Sequence, residues 1–390
     1  MNSQEHSVAV TAEPAARWLA LDVFRALAVL WMIQGHTFTA LLAGAPVFEG
    51  GLGRIYRTLH GLTAPMFLCG AGLAYGIVRF GAAKPAAPGR MLRRALMLFA
   101  IGTALQMPSA PLSVILQRRD LLAGSLRPAA LQVVAACLLL AELLRWATGA
   151  KLRTRFAAAA ALAATLITLT APWLWNLGLS KQYLFGSWID GQTGAQFPCV
   201  PWVCFFLLGA VISTLFGASL WRERWFMPLL GLLGLGASAL CYWQYLAGER
   251  LNALYGEHAF WLTSPMFVGF RAGLVLVWLS LLSVCAPLLV RAFAAWPSVA
   301  RVVSALSRHS LVAYVVHLTV LYGLPPLRVR HGVGPHFTRL ECTQICALVL
   351  LVSVLSVLSW ERLRELVFGG ARKLVAVVSA RSAAPRDPLV

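Results

Sequence analysis

Two side chains of the first apolar segment, Arg25 and His36, have types and a spacing that could do chemistry. Eleven positions separate them, and at about 100° per residue a helix returns them to nearly the same face, about 16 Å apart along its axis. One stripe then carries a permanent cation at one depth and a titratable imidazole near the opposite membrane surface. Histidine is the usual general base for a hydroxyl or an amine. The alternative is that Arg25 extends its guanidinium to one membrane interface and that His36 is hydrated at the other interface.

Two further histidines, His60 and His317, are candidates for the same site. His60 enters the second segment at about the level of His36, so the two imidazoles could converge, although an ordinary interfacial histidine is the favoured interpretation of His60 alone. His317 lies near the middle of a later segment, on a polar stripe with Ser310 and Tyr314 at i, i+4 and i+7. An unpaired imidazole at that depth is costly, so we expect a polar cavity or a hydrogen-bonding partner. The alternative is a structural histidine that orients its helix.

A basic cluster follows the second apolar segment and consists of Arg79, Lys84, Arg90, Arg93 and Arg94. The first interpretation is the excess of Lys and Arg found in cytoplasmic loops. The second is a site for an anionic, phosphate-bearing donor, because guanidinium groups bind phosphate with charge-assisted hydrogen bonds.

Composition identifies the class of protein to which these side chains belong. Of the 390 residues, 59% are hydrophobic and only 12% are charged, with a mean hydropathy of +0.74. A soluble protein carries about a quarter charged residues. The net charge of +19 lies in short runs between apolar segments, which is typical of membrane loops and not of a nucleic-acid groove. The eight cysteines show no CxxC pair and no zinc-type spacing, so we expect neither a metal site nor a disulfide framework.

The predicted fold is therefore all-α, a polytopic integral membrane protein with about ten transmembrane helices. The ten apolar segments are approximately 19–43, 56–79, 91–108, 127–146, 155–175, 198–217, 226–247, 266–290, 302–324 and 341–360. Lys and Arg counts per loop favour cytoplasmic N- and C-termini. We predict a cytoplasmic N-terminal segment over 1–18, a transmembrane domain over 19–362 and a basic cytoplasmic tail over 363–390. The longest outer segment, 176–197, is long enough for a lid or a binding loop.

Small residues in the second segment, TAPMFLCGAGLAYG, predict a close helix contact. Gly70, Gly72 and Ala74 recur at spacings that let two helix backbones approach one another.

Five segments, in this order along the chain, carry a family resemblance. The first, RWLALDVFRALAVLWMIQGH, resembles the first span of the membrane acyltransferase superfamily that includes the acyltransferase 3 family and the heparan-alpha-glucosaminide N-acetyltransferase catalytic-domain family. Those proteins place a histidine eleven residues after the arginine of a D-x-x-R-G pattern. The other four are APMFLCGAGLAYG, LRPAALQVVAACLLLA, FPCVPWVCFFLLGA and LSRHSLVAYVVHLTVLYG. Ala26 replaces the usual glycine, and we expect no appended esterase-like domain.

The resemblance implies an enzyme, an acyltransferase that moves an acyl group, most simply acetyl, from a cytoplasmic acyl-CoA to a hydroxyl or amine of a sugar or glycan at the outer face. It implies no bound cofactor, only acyl-CoA as co-substrate. His36 would be the catalytic base. The acyl-CoA would be held by Arg25, Arg90, Arg93 and Arg94. The supporting and cavity residues would be Asp22, which would orient Arg25, and His60, Gln132, Trp202, Tyr314 and His317.

A transporter or flippase that uses the same polar path is the alternative. Coupled carriers usually place a carboxylate in the middle of a span, whereas Asp22 and Glu142 lie near span ends. We expect the lipid bilayer, acyl-CoA and a glycan acceptor as partners, with no nucleic acid and with a homodimer left open. A bacterial inner membrane is the expected location.

Overall fold

The computed structural model describes residues 18–42, 50–81, 88–108, 110–149, 152–220, 225–248, 252–323 and 337–382. Over these residues the chain forms helices and turns and no β-strand, which confirms the predicted all-α class. In chain order the α-helices are α1 (Leu19–Leu41), α2 (Gly50–His60), α3 (Thr63–Gly76), α4 (Pro88–Gln106), α5 (Leu112–Gln117), α6 (Arg119–Ser125), α7 (Ala130–Ala147), α8 (Arg153–Asn176), α9 (Leu179–Gln182), α10 (Cys199–Leu220), α11 (Phe226–Leu246), α12 (Asn252–Tyr255), α13 (Phe260–Thr263), α14 (Pro265–Val284), α15 (Ala286–Ala295), α16 (Pro297–Arg308), α17 (Ser310–Leu318) and α18 (Arg339–Ser382). Two π-helical turns, Ile77–Gly81 and Thr319–Gly323, continue α3 and α17.

Seven helical stretches of the described chain are long and apolar enough to cross a bilayer. They are Leu19–Leu41, Gly50–Gly81, Ala130–Ala147, Arg153–Asn176, Phe226–Leu246, Pro265–Val284 and Arg339–Arg364. The pair α15 and α16 would make an eighth, but it is bent by 120° and is either a broken span or a re-entrant loop. The protein is thus a multi-pass membrane protein, as predicted, whereas the predicted number of about ten spans is not confirmed.

The difference in number has identifiable physical causes. The predicted third span corresponds to α4, whose first two turns contain three arginines, and this lowers its apolar character. The predicted ninth span contains the apolar helix Ser310–Gly323, which is shorter than a full crossing. The predicted eighth span, 266–290, is one of the seven, but it ends earlier than predicted, because α14 ends at Val284.

The chain divides into two compact units. Unit 1 contains Met1–Leu21, Leu68–Phe99 and Pro128–Val284. Unit 2 contains Asp22–Phe67, Ala100–Arg127 and Cys285–Val390.

Close helix contacts organise the core of unit 1. The carbonyl oxygen of Phe206 in α10 occupies the place where a side chain on Gly72 in α3 would begin, and the amide nitrogen of Ala210 would be 2.9 Å from that new Cβ. The predicted close approach at Gly72 is therefore confirmed, with α10 as the partner. α11 packs along α14 in the same unit, and the Ser280 hydroxyl donates to the carbonyl oxygen of Met227 across this contact.

Unit 2 is built from the main part of α1 and from the helices at the end of the chain. α16 and α17 pack against α18, and Arg308 forms an ion pair of 2.5 Å with Glu361. Trp296, which separates α15 from α16, leaves the helical conformation (φ −126°, ψ 75°). Pro297 favours this break, because a proline disfavours helical geometry in the residue before it. α1 joins this group through side-chain contacts that build the candidate site.

Candidate active site

His36 and His317 form a hydrogen-bonded pair in unit 2. Nδ1 of His36, on α1, is 2.9 Å from Nε2 of His317, on α17. The rings are stacked, with centroids 5.2 Å apart and planes inclined by 16°. His317 has no exposed surface, whereas His36 is half-buried. Two imidazoles from opposite ends of the chain therefore meet, and the partner expected for a mid-span His317 is His36.

His317 is held by its own helix. Its Nδ1 is 2.8 Å from the carbonyl oxygen of Ala313, one turn earlier in α17. The ring of Tyr314 packs edge-on against it, with centroids 5.5 Å apart and planes at 84°. Tyr314 is itself buried. These contacts leave the His317 ring little freedom to rotate, so its Nε2 is directed at His36.

His60 lies beside the same stretch of α1. Its imidazole occupies the space next to Gly35 so closely that a Cβ at that position would overlap Cε1 and Nδ1 and would be 2.9 Å from Nε2. The His60 ring stacks on Tyr56 (centroids 5.8 Å apart), and Gln34 donates a hydrogen bond of 2.8 Å to the Tyr56 hydroxyl. Gly35, which immediately precedes His36, is thus the residue that lets α2 bring a second imidazole to this level. The glycine in the sequence Q-G-H indicated such a close approach at Gly35, but the sequence analysis did not predict it.

Asp22 has a partner that the sequence did not reveal. The hydroxyl of Ser307, at the end of α16, donates a hydrogen bond of 2.7 Å to the Asp22 carboxylate, and both side chains are buried. The expected orientation of Arg25 by Asp22 stays a prediction. Arg25 is half-buried and lies on the same unbroken helix as His36, so the predicted spacing of about 16 Å along the axis applies.

The other predicted site residues belong to unit 1 and are described within it. Arg90, Arg93 and Arg94 have exposed side chains in the first two turns of α4. Gln132 is fully buried in α7, where its Oε1 accepts the amide of Ala129 at 3.3 Å and its Nε2 has no hydrogen-bond partner among the described residues.

Trp202, also in unit 1, is buried near the start of α10. Its indole packs edge-on against Phe197, with centroids 4.9 Å apart and planes at 86°. That Trp202, Gln132 and the α4 arginines share one cavity with His36 stays a prediction.

A buried ion network in unit 1 was not predicted. Glu142 accepts hydrogen bonds from Arg79 (2.6 Å), Tyr75 (2.9 Å) and Arg145 (3.0 Å). The Arg79 side chain is only 2% exposed. Three donors share the Glu142 carboxylate, which therefore links the end of α3 and the π-helical turn after it to α7. A lone carboxylate in the apolar helix α7 was the available signal.

The predicted lid or binding segment, 176–197, is compact and contains α9. Its centre is Asp190, which is fully buried and accepts hydrogen bonds from the backbone amide and hydroxyl of Ser180 and from the amide of Gln192. Gln192 also donates to the carbonyl oxygen of Trp175, at the end of α8. The Asp190 carboxylate thus links Ser180 to Gln192 within this segment, and Gln192 links the segment to α8.

In the part of the chain that the structure describes, no group of three or more His, Cys, Asp or Glu residues could hold a metal ion. The histidine pair instead offers proton transfer. The partners of His36 and His317 among the described residues are imidazole, backbone carbonyl and aromatic ring.

One protein family has a sequence model that matches this chain. It is described as heparan-alpha-glucosaminide N-acetyltransferase, catalytic, and the match covers residues 17–245, which is more than half of the chain. His36, His60, Gln132 and Trp202 lie inside the matched range, whereas His317 lies beyond its end. No curated protein matched the chain in a sequence search.

Proposed function

The chain belongs to the heparan-alpha-glucosaminide N-acetyltransferase catalytic-domain family, and from this premise we propose that it transfers an acetyl group from acetyl-CoA to a hydroxyl or amine of a sugar. The family implies an acetyltransferase, and the helices make it a membrane protein. The donor, the acceptor and the direction of transfer are the proposed parts.

The observation that carries the proposal is the environment of the His36 imidazole. Nδ1 is engaged by His317, and Nε2 has no hydrogen-bond partner among the residues described. The side chain is half-buried in a helix of membrane-spanning length. A histidine with one nitrogen fixed and the other free for a substrate meets the geometric requirement for a general base.

In the proposed reaction the acceptor O–H or N–H gives its proton to Nε2 of His36. The acceptor oxygen or nitrogen attacks the thioester carbonyl, and the carbon–sulfur bond then breaks. The CoA thiolate leaves and takes the proton from the His36 imidazolium. The products are an acetyl ester or amide and free CoA, and the transfer involves no change in oxidation state. An activated acyl donor needs no further co-reactant.

The donor is proposed to lie along α1. Arg25 and His36 share one helix face about 16 Å apart, a separation that suits a long, thin pantetheine arm. Arg25 would bind an anionic part of acetyl-CoA, and Arg90, Arg93 and Arg94 would bind its phosphates, because guanidinium groups form paired hydrogen bonds with phosphate oxygens. The exposed side chains of these three arginines support this assignment.

The proposed direction follows from the distribution of basic residues. Both termini and the α4 arginines would face the cytoplasm, where acetyl-CoA is made, and the His36 end of α1 would face the outer surface. The acceptor glycan would then be acetylated at that surface, in a bacterial inner membrane. His60, Gln132, Trp202 and Tyr314 would line the path, and a homodimer stays a prediction.

The test uses the purified full-length protein in lipid nanodiscs with radiolabelled acetyl-CoA. Binding of the donor and release of CoA are measured with and without a panel of amino sugars and neutral sugars. We expect His36→Gln to bind acetyl-CoA normally and to release CoA about 10²- to 10⁴-fold more slowly, the usual contribution of a general base. His258→Gln, a histidine outside the spanning helices, is the matched control.

Two outcomes separate the parts of the proposal. Wild-type turnover in the His36→Gln protein would overturn the role of His36. Absence of saturable acetyl-CoA binding in the wild type would overturn the enzyme and favour transport of a solute along the same helices. Alkaline hydroxylamine distinguishes the products, because it cleaves an acetyl ester and leaves an acetyl amide intact.

A further inference from the structure

We propose that His317 is a positioning residue, which holds the proton of His36 on Nδ1 and so keeps the lone pair of Nε2 for the acceptor. This inference rests on the proposed function of His36 and goes beyond the family match, which ends before α17.

The first step concerns the proton on His317. The carbonyl oxygen of Ala313 can only accept a hydrogen bond, so Nδ1 of His317, 2.8 Å away, must be the donor. A neutral imidazole carries one N–H, and Nε2 of His317 is therefore a lone pair. A second proton would place a full charge on a ring that has no exposed surface.

The second step derives the position of the proton on His36 from that on His317. Nε2 of His317 and Nδ1 of His36 are 2.9 Å apart, which is a hydrogen-bonding distance. Since the His317 nitrogen is the acceptor, Nδ1 of His36 must carry the proton. The lone pair of neutral His36 is then on Nε2, the nitrogen without a partner in the described part of the chain.

The third step is what His317 contributes during turnover. An imidazole without a fixed partner exchanges between two tautomers, and the one with a proton on Nε2 cannot act as a base at that atom. Once His36 has taken up the acceptor proton, both of its nitrogens are donors, and the Nδ1–H bond to His317 is retained and strengthened by the charge. The stacked geometry also fixes the plane of the His36 ring.

Two amide substitutions separate the two contacts of His317. Asn places its amide nitrogen near the former Nδ1 and keeps the bond to Ala313, but it cannot reach His36. Gln extends its amide oxygen to the former position of Nε2 and can accept the Nδ1 proton of His36. We expect His317→Asn to lower kcat about 10- to 100-fold with an unchanged KM for acetyl-CoA, as for other residues that orient a functional histidine. His317→Gln should stay within a few-fold of the wild type.

A second measurement does not depend on turnover. The ¹⁵N chemical shifts of histidine-labelled protein distinguish an imidazole protonated at Nδ1 from one protonated at Nε2. We expect His36 to carry its proton on Nδ1 in the wild type and in His317→Gln, and to populate both tautomers in His317→Asn. The His36→Gln protein assigns the His36 signals by their disappearance.

The two readouts keep this inference separate from the proposed function. If the wild type transfers no acetyl group and the tautomer of His36 still depends on residue 317, the function is wrong and the positioning is right. If Asn and Gln reduce kcat equally, or if His36 is protonated on Nε2 in the wild type, His317 does not set the tautomer and the inference fails.

Discussion

Replacing Gly35 by alanine tests how tightly α1 and α2 hold the histidine cluster. The new Cβ would overlap Cε1 and Nδ1 of the His60 ring and would be 2.9 Å from Nε2, the most distant of these three atoms. Carbon contacts are optimal at about 3.5–4.0 Å, so the ring must withdraw by about 1 Å or more. The ring cannot withdraw without disturbing its stack on Tyr56.

The magnitude follows from this overlap. Overpacking of a filled contact costs about 1–3 kcal/mol of folding free energy. Gly35 is bonded directly to His36, so any local shift of α1 that relieves the overlap also moves the proposed base. A displacement of about 1 Å in a catalytic group can lower the rate by about 10²-fold. We therefore expect a lower thermal midpoint and a fall in kcat for CoA release of about 10- to 100-fold.

The assay compares thermal unfolding and CoA release in nanodiscs for Gly35→Ala, Gly236→Ala and the double variant Gly35→Ala/His60→Ala. Gly236, in α11, is the matched control because a Cβ there would meet nothing within 4 Å. Removing the His60 ring removes the overlap, so the double variant should be no less stable than His60→Ala alone. The reasoning is refuted if Gly35→Ala behaves like Gly236→Ala, or if the losses of stability in the double variant simply add.

Two carboxylates give the remaining predictions: Glu142, whose side chain is 17% exposed, and Asp190, which is fully buried. Glu142→Gln removes the charge of the carboxylate that the Arg79 guanidinium contacts, and because the Arg79 side chain is only 2% exposed, this change should destabilise the protein by about 3–5 kcal/mol in a thermal or denaturant titration. Asp120→Asn, which breaks the exposed pair with Arg118, should leave the midpoint unchanged, and equal losses would contradict the role of burial. Asp190→Asn replaces one of the two carboxylate oxygens that accept from three donors by an NH2 group that cannot accept, and should destabilise the protein by about 1–3 kcal/mol. Its segment, 176–197, should then be cut faster in limited proteolysis, and an unchanged cleavage rate would contradict this account.

Hydropathy predicted the membrane class and the helices because it depends only on local composition. The predicted segment 226–247, for example, agrees with α11 to within one residue at its end. The bend between α15 and α16 was missed, although Pro297 was visible. A proline indicates where a helix can break, but the direction of the next helix depends on the tertiary contacts of α16 with α18, which composition does not contain.

The sequence analysis singled out the three histidines that meet or approach one another, His36, His60 and His317, but it predicted only part of their contacts. The sequence distance between His36 and His60 is short, and antiparallel spans bring such residues to one level, so their approach could be anticipated. The pairing of His36 with His317 spans 281 positions, and a polar stripe on one helix does not identify the helix that it will face. The partner of Asp22 could not be predicted for the same reason. Its neighbour one turn along α1 is Arg25, whereas the observed hydrogen bond comes from Ser307 of α16.

The use of a backbone carbonyl to orient the histidine pair has a physical reason in a membrane protein. A carboxylate in the place of Ala313 would have to be desolvated, and an ion that loses its hydration costs several kcal/mol unless other groups compensate. A backbone carbonyl oxygen in a helix has a second lone pair beyond the one used in its intrahelical hydrogen bond. Because Ala313 and His317 are at i and i+4, the Ala313 carbonyl oxygen can accept from Nδ1 of His317 without adding a charge. In the proposed reaction, the pair would stay neutral until the acceptor gives up its proton, so the charge would develop only during the reaction. A proposed base that is neutral at rest and held by a second imidazole could therefore lie between apolar helices, which fits the finding that the described partners of the pair include no carboxylate.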